Sequence, residues 1–319
     1  MRNLALTAAL FLLPAIAVAQ SPWPSKPIRM LVGSPPGGPS DIVTRLFAEQ
    51  LSQRLKQPVV VENRPGVGNS LAAGVVAKGE PDGYTLVVSP DTVVTVNPLV
   101  YPRLNFDART ELVNVSVLAA FTQMLVCNSS KGLATVPELV ARARTSTLNY
   151  ASGGPGVPGH LAAEMFLQTA GVRMQHVPYK GPAPATQAVL AGEVDCGFLA
   201  TPTVLPHVKA GKLHALAVSS AVPSPMAPEV PTLAKALNRA DVDITFKLVL
   251  QVAKGTPAAI VAELERASMD IMKKPEVRAR LQASDLVAIG GSNREAESVM
   301  KAESARWEPL VKRLEIKAE

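Results

Sequence analysis

Short β-branched runs separated by helix-periodic segments constrain this chain more than any other feature. IRMLV (28–32) reads as a strand, and residues 40–56 then carry Ile42, Val43, Leu46, Phe47, Leu51 and Leu55 at helical spacing. PVVVE (58–62) is the next strand, LAAGVVAK (71–78) a short helix, and YTLVV (84–88) a strand after the Pro81-Asp82-Gly83 turn. Consecutive βαβ units demand a parallel sheet with right-handed crossovers, which predicts α/β architecture.

A second series follows the apolar stretch 113–126. Thr135 and Glu138 form a capping box for a helix over 136–144, with strands at 148–151, 175–179, 194–198 and 214–218 and helices near 160–170, 184–191 and 203–210. The four prolines of AVPSPMAPEVP (221–231) mark a connection. Beyond it come an apolar strand (246–253), a helix opened by Thr256-Pro257, and a last helix opened by Ser292 with Glu295 at capping-box spacing. Val299, Met300, Trp307, Leu310, Val311 and Leu314 line one face of that helix, which must dock, and the expected place is the first lobe. The expected role of Trp307 is core packing. A chain of 319 residues is too long for one simple core and comfortable for two lobes of about 100–200 residues each.

The N-terminus explains where such a protein would work. Residues 1–20 carry Arg2, an apolar run from Leu4 to Val18, and small Ala17 and Ala19 ahead of Gln20, the pattern of an export signal cut after Ala19. A membrane anchor needs roughly 20 unbroken apolar residues, and Pro14 interrupts this one. The mature chain is therefore expected to be soluble and exported. The formal net charge of +6 comes from scattered bases, and aromatic residues are only 4%, so neither a phosphate-binding stripe nor stacking platforms exist and nucleic acid is not an expected partner. An exported chain can oxidise its two cysteines, Cys127 and Cys196. Both lie in apolar strand-like runs, so a disulfide and a pair of buried free thiols both stand open, the free thiols being the plainer reading.

Two glycine-rich turns carry the functional signal. In VGSPPGGPSD (32–41) a strand ends, Gly37 and Gly38 let a ligand approach the backbone, Ser40 offers an N-cap, and Asp41 sits in the first helical turn. Free NH groups at such a strand-to-helix turn suit a carboxylate or phosphate, and α/β folds place ligands at this end of the sheet. YASGGPGVPGHL (150–161) repeats the arrangement. Gly154, Gly156 and Gly159 match G-x-G-x-x-G, but the strand about 20 residues on ends in Tyr179-Lys180 with no acid for a ribose, and His160-Leu161 stand where a P-loop needs Lys and Ser or Thr. Ser152 lacks the G-x-S-x-G context of a nucleophile, and His160, His176, His207 and His214 show no metal-ligand spacing. No catalytic residue, metal or cofactor is expected. His160 opens the helix beside the second turn, where it would bond either a ligand or the turn itself.

Taken together, PSKPIRMLVGSPPGGPSDIVTRLFAEQLSQRLKQPVVVENRPGVG, PDGYTLVVS, LNYASGGPGVPGHLAAEMF, VPYKGPAPA, LPHVKAGKLHALAV and GTPAAIV resemble the tripartite tricarboxylate transporter substrate-binding proteins, also called Bug proteins after the Bordetella uptake genes. The resemblance runs from Pro24 almost to the C-terminus, with several motifs in the family's order. It implies a type II periplasmic binding-protein fold, α/β in class, with two lobes and hinge strands closing on a ligand. The boundaries expected are a signal at 1–19, lobe I at 20–121 plus 223–319, and lobe II at 122–222. It also implies a periplasmic, monomeric, non-catalytic receptor for a small organic acid, partnered by integral membrane transporter subunits or, alternatively, by the periplasmic domain of a sensor kinase.

The same resemblance implies a carboxylate cradle made of two loops. Ser34, Pro36, Gly37, Gly38, Ser40 and Asp41 would form the first, and Ser152, Gly153, Gly154, Gly156, Val157 and His160 the second, with Ser89 contributing from the end of its strand. The family's usual aromatic residue in the first loop is absent, Gly33 and Ser34 occupying that place and opening space. Val157 stands where Ser or Thr is common, Leu199-Ala200 replaces Asp-Asn, and Lys247 replaces a Trp. A less polar pocket at Val157 and Leu199, with Lys247 free for a second negative group, favours an aromatic or dicarboxylic acid over an amino acid.

Overall fold

The computed structural model describes residues 23–318, and the expected export signal with its expected cleavage site lies outside them. Ten strands occur among the described residues: β1 (Ile28–Val32), β2 (Val59–Asn63), β3 (Thr85–Pro90), β4 (Leu112–Asn128), β5 (Asn149–Ser152), β6 (Gln175–Pro178), β7 (Cys196–Ala200), β8 (Leu213–Val218), β9 (Thr245–Ala253) and β10 (Val287–Ala288). Their order is β2-β1-β3-β9-β4-β7-β5-β6, with β8 and β10 paired to β4.

The expected parallel sheet is present in two separate pieces, β2-β1-β3 and β6-β5-β7. Between them the sheet is antiparallel: β9 runs against β3 and β4, and β4 runs against β7. The cause is chain routing. β4 carries the chain out of the first half and β9 brings it back, so the two must point in opposite directions. The apolar stretch 113–126 is thus a 17-residue strand shared by both halves. Its first part, Leu112 to Thr122, pairs with β9, and Gln123 to Cys127 pair with β7.

Sequence rules account for the flanking helices. The helices Pro39–Leu55, Pro158–Ala170, Pro182–Leu190 and Thr201–Lys209 each follow a strand and open with Pro in the first turn, where its missing NH removes no helical bond. Both predicted capping boxes form, Thr135 with Glu138 and Ser292 with Glu295. The last helix, Asn293–Arg313, docks on the first half, where Trp307 is fully buried and stacks on Phe246 of β9 at 5.4 Å between ring centroids. The free-thiol reading of the cysteines is corrected: Cys127 of β4 and Cys196 of β7 stand directly opposite in the ladder and form a disulfide.

Candidate functional site

A cleft of about 320 Å³ lies where the carboxyl ends of the parallel strands of both halves meet. The first loop leaves β1 at Gly33. A Cβ there would come within 2.4 Å of the Asn69 carbonyl oxygen, so the loop after β2 packs on it and fills the space that the missing aromatic residue would open. The Ser34 side chain lines the cleft, and its buried hydroxyl has no hydrogen-bond partner among the described residues. Asp41 braces the turn from behind. Its carboxylate accepts from the Gly37 NH (3.0 Å), Arg45 (3.0 Å) and Asn63 (2.8 Å), while Asn63 also donates to the Ser34 carbonyl (3.0 Å). Burial pushes the Asp41 carboxyl upward, but the bonds from Arg45, Gly37 and Asn63 outweigh it and hold the group below its ordinary range.

Two histidines build the second loop. The Ser152 hydroxyl lies 2.6 Å from His176 Nε2 and accepts from the Gly154 NH at 3.2 Å, while His160 Nδ1 accepts from the Gly156 NH at 3.0 Å. The two imidazoles stack 4.0 Å apart, and Tyr150 stacks on His176. Burial, reinforced by His176, pulls the His160 ring down to about 3, and burial brings His176 down to about 4, so both are neutral at pH 7. A Ser-His pair thus exists that spacing alone did not show. With Ser152 fully buried and its hydroxyl engaged by Gly154, the pair fixes the loop.

Contacts between the halves bring the loops together. After β6, the Tyr179 NH donates to the Ser152 carbonyl (2.9 Å) and the Gly181 NH to the Gly153 carbonyl (3.1 Å). Gly181 has φ +117°, and a Cβ on it would lie 2.7 Å from Pro35 Cδ, so this segment abuts the first loop. The Tyr101 hydroxyl donates to the Pro155 carbonyl at 2.8 Å. Burial raises that phenol to about 12, keeping it a donor.

The structure sorts the sequence-predicted residues into two groups. Ser34, Ser40, Gly153, Gly154, Val157 and Leu199 line the cleft. Pro36 and Gly37 sit at the exposed tip of the first loop, and Gly38 packs towards Pro182. Asp41, Ser152, Gly156 and His160 shape the loops from outside the cleft lining, and His160 bonds the turn itself. Two placements are corrected. Ser89 is fully buried and donates to Gln251 of β9 at 2.6 Å, away from the lining. Lys247 does not reach the cleft: its ammonium bonds Glu303 of the last helix at 2.5 Å and the Thr245 carbonyl at 3.0 Å.

Sequence reasoning missed other walls. Gly66 to Asn69 after β2, and Tyr179 to Pro182 after β6, line the cleft. Both were findable by the rule that ligands bind at the carboxyl ends of parallel strands. Tyr101, Phe121 and Gln123 also line it, but no local pattern marks them. Among the described lining residues Lys180 is the one charged side chain. The first-turn NH groups after Pro39 and Pro158 have no carbonyl four residues back within their helices. The cleft therefore combines backbone donors, serine hydroxyls and one cation with aromatic walls, a set suited to a small anion carrying an apolar body.

Comparison with known proteins agrees. Residues 43–316 match the family model of the tripartite tricarboxylate transporter family receptor. BugT of Bordetella pertussis (strain Tohama I) is 31% identical over 301 residues, covering 93% of this chain and 92% of its own. Among solved structures, R. palustris Rpa4515 with adipate superposes with TM-score 0.89 at 30% identity, covering 93% of this chain and all of that one. MatC (Rpa3494) from Rhodopseudomonas palustris with bound malate gives 0.84 at 27%, covering 91% of this chain and all of that one.

Proposed function

The chain belongs to the tripartite tricarboxylate transporter receptor family, a family of periplasmic solute-binding proteins and not of enzymes, and from that premise we propose that its cleft captures a small organic acid for delivery to the membrane subunits of such a transporter. One observation carries the choice of an acid: the cleft lining holds one cation, Lys180, and no side-chain carboxylate among the described residues. The two Rhodopseudomonas relatives, bound to adipate and malate, support the same class. Ser34, Ser40, Gly153 and Gly154 are the proposed polar contacts, with Val157, Leu199, Phe121 and Phe198 against the ligand's apolar body. Those walls favour an aromatic or dicarboxylic acid.

Recognition works by closure. The proposed lobes are 20–121 plus 223–319 and 122–222, acting in the periplasm as a single chain. A ligand touching both loops favours the closed arrangement by its differential affinity. Nothing in the fold or the relatives favours docking on a sensor kinase.

Thermal unfolding against a panel of mono- and dicarboxylates, aromatic acids, amino acids and sugars tests the reading. A ligand at 100 times its Kd adds about 2.7 kcal/mol, which raises the midpoint by several degrees. Shifts should be confined to acids. No shift with any acid, for folded and ligand-free protein, would overturn the assignment.

A further inference from the structure

Lys180 occupies the junction of the two cradle loops. Its neighbours on either side are pinned by the backbone bonds from Tyr179 to Ser152 and from Gly181 to Gly153, and Gly181 touches Pro35 of the first loop. The residue is exposed, whereas Ser34 is only 7% exposed, so the cation marks the rim of the cleft and the serine its depth. Lys180 takes part in none of the ion pairs among the described residues. Lys247, by contrast, spends its charge on Glu303.

We propose that Lys180 is the specificity-determining residue for a second carboxylate: one carboxylate is held in depth at Ser34, and the other is paired at the rim with the Lys180 ammonium. The inference rests on the carboxylate-receptor reading and narrows it to dicarboxylates. Phe121 and Phe198 also line the cleft and add apolar surface for the connecting carbon chain. Because Gly181 abuts Pro35, the rim cation is delivered to the ligand only where the two loops meet. The second carboxylate therefore rewards closure as well as binding.

The test titrates the full chain, its Lys180→Met and its Lys180→Arg variants calorimetrically with adipate and with hexanoate, acids of equal carbon number and different charge. The wild type should prefer adipate, and Lys180→Met should weaken adipate about tenfold, the range of one charge-assisted hydrogen bond, while changing hexanoate less than about twofold. Lys180→Arg should retain most of the preference. The adipate Kd of the wild type should rise with ionic strength more steeply than that of Lys180→Met, because a rim pair is screened. Equal losses for both acids, or no loss for either, would overturn the role of Lys180 while leaving the carboxylate reading intact. Failure of the wild type to bind either acid would overturn the inference, while the carboxylate reading stands or falls with the wider acid panel.

Discussion

Ser34 lines the cleft and holds a buried hydroxyl with no hydrogen-bond partner among the described residues. A buried polar group without a partner lowers the stability of the empty protein by about 1–3 kcal/mol relative to a satisfied one. Ser34→Ala should therefore leave the unfolding midpoint of the empty protein unchanged or slightly higher, yet weaken acid binding by about tenfold or more, the value of a hydrogen bond to a charged group. A variant that loses stability and keeps its affinity would show the hydroxyl to be structural. A second buried group gives a pH prediction. Burial, then Glu303, raises the Asp91 carboxyl to about 7, against the pull of Lys247. The native state keeps this proton up to about pH 7, whereas an ordinary aspartate releases it at 3.8. The folded form thus binds more protons across that window, and stability falls as pH rises through it. Asp91→Asn should gain several degrees over wild type at pH 8 and almost nothing at pH 4; equal midpoint differences at both values would show Asp91 to be ionised throughout. Lysine roles were hardest to read from sequence. Parity along β9 puts Lys247 on the face of Gln251 and the last helix, and a strand's two faces cannot be told apart when both are buried. Lys180 is legible as the residue after a strand, but only the fold brings its turn against the first loop.

At the scale of elements, local chemistry was legible wherever it is self-contained. Both capping boxes and the proline-opened helices need only residues within four positions of one another, and they form where expected. The four-residue helices Thr92–Thr95 and Asn97–Val100 were invisible because one turn cannot show a period. The cradle loops were legible as turns but only partly as sites. Gly37 is spent on bonding Asp41, and the histidines that hold the second loop come from two elements that only the fold brings together. The disulfide belongs to this scale too, since it joins β4 to β7 across 69 residues of chain. Closing a loop of that size stabilises by about 2–4 kcal/mol. Replacing both cysteines by serine should lower stability by that amount in chemical denaturation while acid affinity stays within about threefold, because neither residue lines the cleft. A large loss of affinity with unchanged stability would mean that the bridge sets the loop geometry rather than the strand pairing.

Local patterns made the whole molecule legible in class, while the joining of two lobes by hinge strands was legible only through the family resemblance. Alternating strands and helices announce α/β, but the long β4 and the returning β9 make the centre of the sheet antiparallel, and no local signal reports where a chain crosses between halves. That crossing creates the cleft, because it sets the carboxyl ends of two parallel sheets facing one another with Pro35 against Gly181 and Tyr101 bonded to Pro155. Recognition of charge across that gap is the central claim, and calorimetric titration with the dicarboxylate that most raises the unfolding midpoint and with its neutral diamide tests it most directly. The dicarboxylate should bind at least about 100-fold more tightly than the diamide, about 2.7 kcal/mol, since the donors and the cation of the cleft favour the charged acceptor. Equal affinities for acid and diamide, or no heat with either, would contradict a cleft built for carboxylates.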